Sequence, residues 1–141
     1  MANPGPAVTQ SSHPQLVGTN QALRLLASFQ GVNANTTVDA VLPIINATAY
    51  SVKFVVFTNA SISLTTAAAG VFTAPAAGGT AIVANAALSA LTGPTVVSER
   101  TVATTAVQTA QNLYVDMGTV QGAAATFDVY VYGYDLTQQI A

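Results

Sequence analysis

One imidazole, His13, and five carboxylates, Asp39, Glu99, Asp116, Asp128 and Asp135, are the side chains in this 141-residue chain best suited to acid–base chemistry. A Ser–His–Asp nucleophile needs its histidine held rigidly by packing. His13 sits instead among Pro, Ser, Thr, Gln and Asn, with few large apolar neighbours. Paired carboxylates that cleave a glycosidic bond stand about 5–9 Å apart. Asp128 and Asp135 are the closest two in sequence, but on an extended strand they are roughly 23 Å apart. Their odd spacing also puts them on opposite faces. Glu99 adjoins Arg100, and Asp116 is alone on its strand. These residues read as solvated or interface charges, so no catalytic residue is expected.

Metal and cofactor chemistry fare no better. The chain has no Cys and a single His, so a transition-metal cluster has no ligand set. No Asp-rich loop suggests Ca²⁺, although backbone carbonyls are possible oxygen ligands. Gly78-Gly79-Thr80 lacks the lysine of a phosphate loop and reads as a turn. The expectation is no metal and no cofactor. Three Asn-x-Ser/Thr triplets, at Asn35, Asn46 and Asn59, arise readily by chance in so Thr- and Ser-rich a chain.

The one polar feature that stands out is the stripe Tyr130, Tyr132 and Tyr134. Alternation puts these rings on one face of a strand, with Phe127, Val129 and Val131 on the other. A broad amphipathic strip suits a protein interface, the rim of a second core layer, or a stacking platform for sugars.

Hydrophobic residues make up 51% of the chain and charged ones 6%, with three cations, Arg24, Lys53 and Arg100. Three cations at net charge −2 cannot neutralise a run of phosphates, so no nucleic-acid partner is expected. Without Cys, a disulfide scaffold and a thiol enzyme are excluded. A typical soluble surface is about a quarter to a third charged. Here the exterior must be Thr, Ser, Asn, Gln and Ala, a surface suited to lying against other protein. The first residues show neither a basic start nor an apolar core, and no 18-residue apolar run follows. The expectation is a chain made and kept in the cytosol, with no membrane partner.

Residues 1–20, with Pro4, Pro6 and Pro14, read as an extended arm. Pro4, Pro6, His13 and Pro14 join Tyr130, Tyr132 and Tyr134 as candidate interface residues. From residue 21 to 141 the pattern is a single β domain. Alternation predicts strands over 23–29, 38–45 and 50–58. Pro43 marks an edge, and the strand at 50–58 is apolar on both faces, as if covered on both sides. A half-buried strand is expected around Ile62 and Leu64, and a loop over 67–79 anchored by Val71 and Phe72. A short strand follows over 80–83, then a helical turn over 85–91 capped by Asn85. One or two strands are expected over 95–107, then strands over 113–117 and 127–134. Seven to nine short strands predict an all-β protein, an antiparallel β-sandwich of jelly-roll type with an extended N-terminal arm.

The segments VVFTNASISLTTAAAGVFTAPAAGGTAIVANAALSALTGPT and LYVDMGTVQGAAATFDVYVYGYDL resemble small proteins of tailed bacteriophages. The likeness lies in TAIVA at 80–84, ALSALT at 87–92, LYV at 113–115 and DVYVYG at 128–133, and covers about 90 residues. It implies a head decoration or cement protein, a β-sandwich often grouped as a homotrimer on the capsid. The implied partner is the major capsid protein. The implied location is the outer surface of the virion, after assembly in the host cytoplasm. No contact residues are carried over from the resemblance. A fibre or glycan-binding module and a tail or baseplate component are the alternatives.

Overall fold

The computed structural model describes residues 23–137. The 1–20 arm, and with it Pro4, Pro6, His13 and Pro14, lies outside the described residues. Eight strands follow in order: β1 (Leu23–Asn33), β2 (Ala40–Pro43), β3 (Tyr50–Thr58), β4 (Ala68–Ala74), β5 (Gly78–Ala87), β6 (Val97–Arg100), β7 (Asn112–Thr119) and β8 (Thr126–Asp135). They form two four-stranded sheets, ordered β1-β8-β3-β6 and β2-β7-β4-β5. Every pairing between strands is antiparallel. The chain is all-β.

A simple rule generates this order. The first strand pairs with the last, β2 with β7, β3 with β6 and β4 with β5. That is one long hairpin with its turn between β4 and β5. Two further pairings, β3 with β8 and β4 with β7, roll it into two sheets. Successive strands up to β4 therefore alternate between the sheets.

Both sheets contribute to one apolar core. Phe57 and Phe127 meet there with ring centroids 5.3 Å apart. Leu42, Leu113, Val71 and Ile82 of the second sheet and Leu26, Val55 and Val131 of the first are fully buried in the same cluster. Pro43 closes β2 at the edge of its sheet, where its missing N–H costs no ladder bond.

Several expectations fail for one reason: sheet pairing overrides local propensity. The 67–79 segment is not a loop, because β4 runs through it as an interior strand. Its small residues are a requirement, since a Cβ at Gly70 would lie 2.6 Å from the Val83 carbonyl oxygen. No helical turn forms at 85–91. The ladder of β5 with β4 extends to Ala87, and only a turn closed by Leu91 N–H to Leu88 C=O follows. Ile62 and Leu64 form no strand. Their segment passes from one sheet to the other, tied by Ser61 N–H to Thr126 C=O and Leu64 N–H to Leu91 C=O. Within 95–107 one strand, β6, forms around Glu99 and Arg100, as expected.

Tyr50 fixes the long connection before β7. Its O–H donates to the Ala110 carbonyl at 2.5 Å, and its backbone exchanges two bonds with Gln108. The ring is fully buried, and burial pushes the phenol pKa up to about 12. The folded chain then keeps this proton where the unfolded chain has lost it. The stabilisation is complete below about pH 10 and is lost as pH rises towards 12, by about 3 kcal/mol in all. Urea unfolding at pH 8, 10 and 11 should show that loss, and Tyr50→Phe should flatten it.

Candidate interaction surface

The outer face of the β1-β8-β3-β6 sheet carries the tyrosines. On β8, Phe127, Val129 and Val131 enter the core, while Tyr130 and Tyr132 are half-buried and Tyr134 is exposed on the other side. All three expected tyrosines thus share one open face. Their register adds neighbours that no single segment of sequence could supply. Tyr132 lies between Leu25 of β1 and Phe54 of β3, Tyr134 between Leu23 and Ser51, and Tyr130 between Ser28 and Val56. The Phe54 and Tyr132 rings stack with centroids 5.0 Å apart and planes 25° apart. Gln30 Nε2 donates to the Tyr130 hydroxyl at 3.1 Å. Leu23 is 46% exposed and Tyr134 38%.

This face corrects the reading of β3 as covered on both sides. Val55 and Phe57 are buried, but Phe54 and Val56 are only half-buried on the outer face. A register shift between Val52 and Phe54 leaves Lys53 exposed and puts Val52 into the core. The strip itself holds no charged side chain. Lys53 and Glu99 stand at its margin, the latter opposite Val56 on β6.

Four of the five carboxylates accept hydrogen bonds within the fold. Asp128 accepts bonds from the Gly31 N–H at 2.9 Å and Asn59 Nδ2 at 3.1 Å. It closes one end of β8, where Asn59 turns the chain at a positive φ of 54°. Asp135 closes the other end and pairs with Arg24 at 3.1 Å. Burial works against the Asp135 charge. Bonds from the Thr137 side chain and N–H, with the Arg24 guanidinium, outweigh it and hold the carboxyl below its usual range. Asp39 accepts the Ala76 N–H at 2.7 Å, and Asp116 takes a long bond from Asn85. Among the described residues, no three His, Cys, Asp or Glu side chains converge as a metal site would need. Among them too, no helix is long and apolar enough to cross a membrane.

Leu23, Leu25, Phe54 and Val56 were not recognised in the sequence as part of this surface. Each lies in an alternating segment, so its strand was legible. Which strands flank β8 was not, because that depends on pairings across the whole chain. Set against known proteins, the chain matches no family model, no curated protein and no solved structure.

Proposed function

We propose that this chain is a virion structural protein that binds the outer surface of a bacteriophage head as a decoration or cement protein. The observation that carries this reading is the uncharged aromatic face of β1-β8-β3-β6. A half-exposed strip of Tyr130, Tyr132, Tyr134, Phe54, Leu23 and Leu25 has the composition of an interface centre, rich in Tyr and Phe and poor in charge. Two further features support it. The strand order is read as a jelly roll, an architecture found in viral capsid and lectin domains. The sequence likeness to small phage proteins points the same way. On this reading the major capsid protein meets the aromatic face, and copies group as a homotrimer. Many weak contacts then sum over the shell by avidity.

A sugar platform is the rival use of the same rings. The Phe54–Tyr132 stack favours protein, because it occupies one face of the central ring that a sugar would need. A tail or baseplate component remains the other virion alternative, and copies confined to tails would reveal it.

Tyr132→Ala tests the assignment. Central aromatic anchors of an interface contribute about 2 kcal/mol or more, which is roughly a thirtyfold loss of affinity. Retention on isolated heads should fall by that factor, with the circular dichroism spectrum unchanged. Undiminished retention would overturn the role of this face. Loss of binding to an immobilised glycan panel, with head binding intact, would favour the sugar reading.

A further inference from the structure

Each flank of the sandwich holds a groove, one lined by Arg100 and the other by Asp39. Between β5 and β6 lies a groove of about 370 Å³ walled by Val83, Ala84, Ala86, Thr101 and Arg100. Arg100 faces the core side of its sheet, with its guanidinium 5.6 Å from the centre of the Phe57 ring. Its Nε is buried and has no hydrogen-bond partner among the described residues. Among the described residues the one ion pair is Arg24–Asp135, so no carboxylate lies within pairing distance of Arg100. A buried donor left unpaired is costly. Glu99 also lines this groove, but it is exposed and sits on the outer face, opposite Val56.

On the opposite flank, between β1 and β2, a second groove of about 330 Å³ is lined by Phe29, Val32, Thr36, Val38 and Asp39. No cation lines it. Asp39 Oδ2 is held by the Ala76 N–H, and among the described residues no group bonds its other oxygen. The two grooves stand level. Ala40 pairs with Val115, Val115 with Val71, and Val71 with Val83, a straight row across the sheet. The segment beside Asp39 and the wall at Val83–Ala86 are therefore the two ends of one row.

We infer that the flanks are complementary faces and that copies of this chain associate head to tail, Arg100 of one copy pairing with Asp39 of the next. This deepens the homo-oligomeric part of the reading above and rests on it. The geometry suits such a contact. Each sheet has four antiparallel strands, so its two edges run in opposite directions. Copies set side by side in one orientation meet with antiparallel edges, β5 against β2 and β6 against β1. Exposed edges are usually blunted by charge or proline. The β5 edge has neither, and Ala84 to Ala87 are exposed. The two most exposed large hydrophobics among the described residues, Val38 at 74% and Val97 at 66%, lie one on each flank. A heterologous contact of this kind closes into a ring when its rotation allows, a trimer included.

A charge swap tests the pairing. The masses of the full chain, Asp39→Arg, Arg100→Asp and the double variant are measured by light scattering behind size exclusion, over a concentration series. The full chain should be larger than its 14.2 kDa protomer. Each single swap should raise the dissociation constant at least about tenfold, and the double swap should restore it. Arg100→Gln serves as a milder variant should Arg100→Asp fail to fold by circular dichroism. A monomeric full chain, an oligomer indifferent to both single swaps, or a folded double variant without rescue would overturn the inference. Head binding by the same proteins separates the two readings. Retained heads with indifferent masses sink only the flank pairing. Oligomers that respond to the swaps but ignore heads sink only the head assignment.

Discussion

Gly133→Val is expected to give no folded protein at 25 °C, and Gly133→Ala to lose most of the stability. Gly133 lies in β8, between Arg24 of β1 and Val52 of β3. A Cβ built there overlaps the Ser51 carbonyl oxygen and comes within 2.9 Å of Val52 Cα and 2.8 Å of Leu26 Cδ1. Two of these three atoms are main chain of an interior strand. They cannot step aside without breaking the β3–β8 ladder that rolls the long hairpin into a sandwich. Changes costing above about 4 kcal/mol are exceptional, and this one meets the criterion of backbone collision in a packed centre. The whole stability of a small domain is about 5–15 kcal/mol. Soluble yield and near-ultraviolet circular dichroism report the result. A Gly133→Ala protein with a urea midpoint close to that of the parent would contradict the close approach.

Asp135→Asn should cost about 3 kcal/mol, because it leaves a guanidinium clamped in place without its counter-charge. Arg24 donates to the carbonyls of Leu25 at 2.8 Å, Ile45 at 2.6 Å and Asn46 at 3.2 Å, as well as to Asp135. It ties β1, the turn after β2 and the end of β8 together. The Asp135 carboxyl is held below its ordinary pKa when folded. Its stabilisation is therefore present above about pH 4 and is lost as pH falls below that. The Asn variant should be less stable at neutral pH and show a shallower acid transition than the parent. Equal acid slopes in the two proteins would contradict this role. Asp128 and Asp135 stand at opposite ends of β8, each with its own partners. Each is spent on holding one end of β8.

Much of the architecture was legible in period-two alternation. The segments around Leu25, Val55, Val115 and Val131 read correctly as strands because each buries one apolar face. Pro43 marked an edge for a reason that holds wherever a ladder needs an N–H. Of the β4 and β5 region only the short strand at 80–83 was legible. Its Ala-, Gly- and Thr-rich sequence has too little hydrophobic contrast to show a period, and Ala and Leu at 85–91 favour helix locally. Only the ladder of β4 with β7 and β5 decides that conformation. The candidate surface divides the same way. Tyr130, Tyr132 and Tyr134 declared themselves by spacing within one strand. Phe54, which stacks on Tyr132 from seventy-eight positions away, and Arg100, which meets Phe57 across β3 and β6, depend on register. An orphaned donor such as the Arg100 Nε has no sequence signature at all, since every arginine carries the same group.

The proposed function requires that the chain bind the outside of a phage head. Its most direct test is co-sedimentation of the fluorescently labelled full chain with purified, DNA-filled heads of the phage it is proposed to coat, across a titration. Head binding gives saturable recovery with the heads, at a plateau of many copies per particle, and competition by unlabelled protein. Label left in the supernatant at every concentration, or sedimenting only with tails, would contradict it.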